Sequence, residues 1–264
     1  MTGPGAGAGV EPTGSAVLAG RRALVTGGAG ALGSVIARRL AGAGADVAVL
    51  DLDEAGAGEV CRDVARLGRR TLPIGVDLTD HAAVQAAAGR VLTTWGGVDV
   101  LVNGAGGGVV APFAEMSAET WHAMMSRNLD SVYHVTRAVL PAMLEQRFGR
   151  IVNIASVAAV SGGRLVRGAT AYAAAKAGVV GLTKALAVEV AEHGVTVNAL
   201  APGAQATPGR ERDTEERRAA LLAQIPTRLL GEPEHLAEAV LFLASPAAVN
   251  VTGVILPLDG GHSI

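Results

Sequence analysis

Short apolar runs alternate with longer helical patterns along nearly the whole chain, and this alternation limits what it can fold into. Arg22–Thr26, Asp46–Leu50, Thr71–Val76, Val98–Val102, Arg150–Ala155, Val195–Leu200 and Val254–Pro257 read as strands, each short, apolar and bounded by Gly, Asp or Asn. Between them, helical patterns run near Leu32–Ala43, Glu54–Leu67, His81–Trp95, Asp130–Arg147, Ala171–His193 and Pro233–Ala244, with a further helix at Ser117–Arg127. Apolar strands that alternate with helices need both faces of the sheet covered, which predicts an α/β fold built on a doubly wound parallel sheet of about seven strands. No break in composition divides residues 21–264, so one domain is expected, and no internal repeat is visible. Gln205–Gly231, rich in charge and proline, is the least regular stretch and reads as a lid or an exposed loop.

Composition removes several classes of function. Of 264 residues, half are hydrophobic, which suffices for a large core, and the net charge of −2 gives no basic surface for nucleic acid. Cys61 is the only cysteine, so neither an internal disulfide nor a thiolate zinc cluster can form. The histidines show no metal-ligand spacing, and no metal is expected. No apolar run reaches the roughly 20 residues of a membrane helix. Residues 1–20 are rich in Gly, Ala and Pro without a basic start, so a flexible tail is expected rather than a secretory signal, and the cytoplasm is the default location.

The first strand runs into Thr26-Gly27-Gly28-Ala29-Gly30-Ala31-Leu32-Gly33 and then a helix. Glycines at a strand-to-helix turn let the backbone approach a pyrophosphate at the helix N-terminus, the signature of a Rossmann dinucleotide site. Asp51 ends the next strand at the expected separation, beside Leu52. Its carboxylate can accept hydrogen bonds from an adenosine ribose and repels a 2′-phosphate, since like charges about 4 Å apart cost roughly 1 to 4 kcal/mol. NAD is therefore expected in preference to NADP.

A second constellation is Tyr172-Ala173-Ala174-Ala175-Lys176, in a chain with only two tyrosines and two lysines, the others being Tyr133 and Lys184. Four residues apart, the two side chains share one helix face. An ammonium beside a phenol favours phenolate and lowers its pKa from about 10, so the pair is a candidate proton-transfer device. Tyr133 has Arg137 where a lysine would be needed and reads as a packing residue, while His134 has no evident partner.

With these elements in place, the chain from Arg21 to Gly261 resembles the short-chain dehydrogenases/reductases. The resemblance implies roles for further residues. Asp77 and Leu78, in Val76-Asp77-Leu78, match an adenine contact, and Asn103-Gly104-Ala105-Gly106 matches the element after the fourth strand. It assigns Asn128, Ser156, Tyr172 and Lys176 to a catalytic tetrad: Tyr172 as acid/base, Ser156 polarising the reacting oxygen, Lys176 also bonding the nicotinamide ribose, and Asn128 holding a water. Pro202, Gly203 and Thr207 match the loop near the nicotinamide amide. The implied reaction is hydride exchange between NAD and a secondary alcohol or ketone, in a homotetramer or homodimer. The spacing Gly27-x-x-Gly30-x-x-Gly33 is that of the extended branch of epimerases and dehydratases, but length and ending match the shorter, 3-oxoacyl reductase-like branch. The Ser156–Tyr172 segment is longer than usual, which leaves Ser161 as a fallback serine. Arg164 and Arg167 within it are candidate clamps for an anionic substrate. The rival readings are a non-catalytic NAD sensor on the same fold and an epimerase or dehydratase using tightly bound NAD.

Overall fold

The computed structural model describes residues 16–162 and 167–264. Most of the segment read as a tail, and Arg164, lie outside the described residues.

Seven strands form one parallel sheet: β1 (Arg22–Thr26), β2 (Asp46–Asp51), β3 (Thr71–Gly75), β4 (Val100–Asn103), β5 (Gly149–Ile154), β6 (Val195–Pro202) and β7 (Ile255–Leu258). The order β3-β2-β1-β4-β5-β6-β7 places β1 centrally, with register pairs such as Thr26–Leu50 on one side and Thr26–Asn103 on the other. The chain winds from β1 to one edge, then crosses back to β4 and winds to the other, which makes the β1/β4 boundary the switch point where ligands bind such sheets.

The helices are α1 (Ala31–Gly42), α2 (Glu54–Arg66), α3 (His81–Trp95), α4 (Ala118–Met125), α5 (Ser131–Glu145), α6 (Ala158–Ser161), α7 (Thr170–Val190), α8 (Glu215–Ala223) and α9 (Pro233–Ala244). Asp53 caps α2 by accepting from Gly56 N, and Asp80 caps α3 by accepting from Ala82 N and Ala83 N. With Asp53 as the cap of α2, Asp51 is not needed for that task. On one face of the sheet, Ile36 and Leu40 of α1, Val60 and Val64 of α2, and Leu236 and Val240 of α9 pack over Val25 and Val49. On the other, Val84 and Val91 of α3, Val139 and Met143 of α5, and Val190 of α7 cover Leu24, Leu101 and Ile151.

Three expectations change. The packed body starts before Arg21, because Leu18 is buried in the first core and its N–H donates to Ala43 O at 2.8 Å. Burying a leucine contributes about 1.5–3 kcal/mol, enough to dock this short stretch. Second, the helical patterns at Ser117–Arg127 and Asp130–Arg147 join through a π-helical turn, Ser126–Asp130. Third, Gln205–Gly231 contains α8, none of whose residues is buried. No helix among the described residues is long and apolar enough to cross a membrane.

Candidate active site

A groove of about 1050 Å³ opens at the carboxyl ends of β1, β2 and β4. Gly27, Gly30, Ala31, Leu32 and Gly33 line it. Helix α1 begins there with Gly30 as N-cap, without a side-chain cap and without an acid in its first turn. Its first N–H groups are thus left for an outside acceptor, which suits a pyrophosphate. The turn tolerates nothing larger at Gly33, where a methyl would overlap the Gly27 carbonyl.

Asp51 and Leu52 line the next stretch of the groove. Asp51 Oδ2 accepts from Ala29 N at 2.9 Å and Oδ1 from Asp53 N at 3.0 Å. The carboxylate therefore buttresses the glycine turn and keeps its remaining lone pairs for a ligand. Asp77 and Leu78 follow. Asp77 Oδ1 accepts from Thr79 Oγ1 at 2.7 Å and from Thr79 N at 2.9 Å. These two bonds, with a smaller contribution from the Arg127 charge, hold the Asp77 carboxyl below the usual range. His134, which had no partner in the sequence reading, hydrogen-bonds Leu78 O through Nδ1 at 3.0 Å. A carbonyl can only accept, so Nδ1 carries the proton. His134 thereby anchors this loop to α5.

At the end of β4 the side of the groove is backbone. Thr26 Oγ1 accepts from Gly104 N at 3.1 Å and Ala105 N at 3.3 Å, and Ala105 and Gly106 line the groove. Thr26 is a positioning residue that sequence reasoning passed over; its signal was a hydroxyl at the last position of β1. Asn103 ends β4, one residue before the lining stretch Gly104–Gly106. Its side chain does not reach the groove but donates to Thr136 Oγ1 (3.0 Å) and Asn153 Oδ1 (2.8 Å), and Asn153 donates on to Thr183 Oγ1 (2.9 Å). This buried chain ties β4 and β5 to α5 and α7 through the amide nitrogens, while Asn103 Oδ1 has no partner among the described residues.

Gly106 joins the groove to a second cluster. A methyl on it would come within 2.7 Å of Asn128 Oδ1 and 3.1 Å of Lys176 Nζ. Lys176 is 3% exposed, donates to Ile154 O at 2.8 Å, and is pushed down to about 8 by burial. An ammonium has three donors, so others remain for a ligand. Tyr172 lies one turn earlier on α7, with Lys176 Nζ 5.8 Å from its ring centroid. Ser156, just past β5, accepts from Ala158 N at 3.1 Å through Oγ, and its hydroxyl lowers the Tyr172 pKa. Ser161 instead donates to Val157 O within its own short helix, so Ser156 is the serine beside the phenol.

The phenol is not made acidic in the protein alone. Burial raises the Tyr172 pKa, and the Ser156 hydroxyl opposes it. Asn128 Oδ1 accepts from Gly107 N at 3.0 Å, and its Nδ2 donates to Gly107 O (2.9 Å) and Met124 O (3.0 Å). These bonds hold the Gly107 loop. Pro202 and Gly203 lie outside the groove at the end of β6, where Pro202 O accepts from Val157 N and Gly203 N donates to Leu258 O. Thr207, half-buried, begins the segment that leads to α8.

The model of the short chain dehydrogenase family matches residues 21–218. The 3-oxoacyl-[acyl-carrier-protein] reductase FabG of Haemophilus influenzae is 41% identical over 244 residues, covering 92% of this chain and 98% of that protein. The (2S)-[(R)-hydroxy(phenyl)methyl]succinyl-CoA dehydrogenase subunit BbsD of Thauera aromatica is 38% identical, covering 92% and 97%. A crystal structure of a short-chain alcohol dehydrogenase from Sinorhizobium meliloti superposes with a TM-score of 0.88 at 35% identity, covering 93% of this chain and 97% of that one. The chain belongs to the short-chain dehydrogenases, oxidoreductases that interconvert CH–OH and C=O groups with a nicotinamide cofactor.

Proposed function

We propose that this chain is an NAD-dependent dehydrogenase or ketone reductase in which Tyr172 moves the proton of the substrate oxygen. The observation that carries the reading is the junction at Gly106, where a groove shaped for a dinucleotide abuts Lys176 and, through it, Tyr172 and Ser156. A bound nicotinamide supplies or accepts the hydride. Ser156 orients the reacting oxygen by a hydrogen bond and stabilises charge on it. Lys176 offers its unused donors to the cofactor ribose, and Asn128 fixes the Gly107 loop beside it. Asp51 is the basis for NAD over NADP, because a 2′-phosphate would meet its carboxylate.

Tyr172, raised by burial, is protonated at neutral pH and set to give a proton. The protonated phenol is the form that carbonyl reduction needs, and the same group acts as the base in alcohol oxidation, which gains as pH rises. For the substrate, a ketone on an apolar chain suits exposed Val109, Val110 and Phe113, which follow the Gly107 loop. The relatives named for 3-oxoacyl and succinyl-CoA substrates make acyl thioesters the first compounds to try. Self-assembly into a homodimer or homotetramer is proposed through α5 and α7, whose shared surface carries a small hollow lined by Tyr133, Leu140, Leu182 and Leu186.

The test is absorbance of NADH with a panel of 3-oxoacyl thioesters and simple ketones, and of NAD⁺ with secondary alcohols at alkaline pH. Turnover with NADH supports the reading. Tight NADH binding without turnover of any member supports the sensor. Cofactor that survives purification without net NADH release supports an epimerase or dehydratase.

A further inference from the structure

Three carboxylates line the groove, those of Asp51, Asp53 and Asp77, and one arginine, Arg127. Arg127 stands on the π-helical turn Ser126–Asp130, is exposed, and takes part in none of the ion pairs among the described residues. Arg127, with Ser126 and Ser131, lines the same groove as Asp77 and Leu78, and its charge contributes to the lowered Asp77 carboxyl. The α1 end of the groove presents backbone N–H groups suited to phosphates, and the Gly106 end abuts Lys176. The stretch from Asp51 and Leu52 to Val76–Thr79 is left for the adenosine. A phosphate there would face Asp51 and Asp77, whereas a neutral purine meets no such repulsion. Leu52, Val76 and Leu78 give that stretch aliphatic surface, and no phenyl, phenol or indole ring lines the groove. A guanidinium is flat, weakly hydrated and stacks on aromatic faces.

We propose that Arg127 is a cofactor-binding residue whose guanidinium lies on the adenine ring, an inference that rests on the dinucleotide reading of the groove. The arginine contributes a planar surface to the base rather than a charge to the phosphates. Uncharged adenosine must therefore feel it as strongly as NADH does.

The experiment measures NADH by fluorescence, and adenosine and AMP by displacement of NADH, for the full chain and for Arg127→Met and Arg127→Lys, each at low and high salt. The expected result is weakening of adenosine, AMP and NADH alike by about fivefold in Arg127→Met, little changed by salt. Arg127→Lys, which keeps the charge and loses the plane, is expected to fall with it. Unchanged adenosine affinity in Arg127→Met overturns the proposal, including the case where only AMP and NADH weaken, which would mark a phosphate contact. Full recovery by lysine overturns it too. Failure of the unmodified protein to bind either NADH or adenosine would overturn the dinucleotide reading itself, and this inference with it.

Discussion

At the nucleotide groove the chain turns on glycines held by short polar contacts, such as Asp51 to Ala29 N and Thr26 to Gly104 N. On the side proposed for the substrate, the loops beyond Gly106 expose Val109, Val110 and Phe113, and α8 buries nothing. The first region is made of backbone, so small residues at fixed spacing specify it. The second is made of side chains on loops, and its shape depends on contacts that no local pattern encodes. Between them stand Lys176 and Ser156, both buried, and Tyr172, half-buried, held by α7 and the end of β5.

Four experiments would break or sharpen that contrast. The largest effect is expected from Tyr172→Phe, which removes the proton donor and lowers turnover by about 10³-fold, within the range for general acid–base catalysis. NADH affinity should change little, and fluorescence titration beside steady-state kinetics separates the two. Equal loss of both would mean that Tyr172 belongs to the groove rather than to the chemistry.

Lys176 comes next. With its pKa at about 8 in the folded chain against 10.5 in the unfolded one, keeping it charged costs on the order of 3 kcal/mol below pH 8. Between pH 8 and 10.5 the unfolded chain holds more protons, so this cost is relieved as pH rises. Lys176→Met loses the bond to Ile154 O, worth about 1 kcal/mol, but also the buried charge. Thermal melts should show the variant more stable than the parent at pH 7, with the advantage gone by about pH 10.5. A pH-independent difference would contradict the buried ammonium.

Asp51→Ala should shift the ratio of NAD to NADP affinity toward NADP by roughly tenfold or more, as the repulsion disappears. NAD binding itself should weaken as well, because Ala29 N and Asp53 N lose their acceptor. An unchanged ratio would remove the basis for the NAD preference. The smallest effect is expected on the substrate side: Val110→Ser should raise KM for long-chain ketones by a few-fold, in line with about 0.8 kcal/mol per buried methylene, and leave kcat and short ketones unaffected. Equal effects on short and long chains would place Val110 outside the substrate path.

The alternation of strands and helices gave all seven strands to within a few residues, because core burial on both sheet faces leaves its mark in every strand. Tyr172 and Lys176 stood out because each residue type is rare here. Directions of side chains at strand ends were not legible. Asn103 turns toward Thr136 and Asn153, and nothing in its neighbours' identity says so. Asn128 was found, but its bonds to Gly107 and Met124 depend on the π-helical turn, which no periodicity announces. The balance at Tyr172 was not legible either, because spacing places Lys176 near the phenol but says nothing of the burial that acts in the opposite direction.

Helix α8 contributes no side chain to the core. A segment with that property can be exchanged for the corresponding stretch of a relative without disturbing the sheet. Within such a scaffold, a new preference for reactants can arise by grafting one surface helix while the proton-handling residues stay untouched.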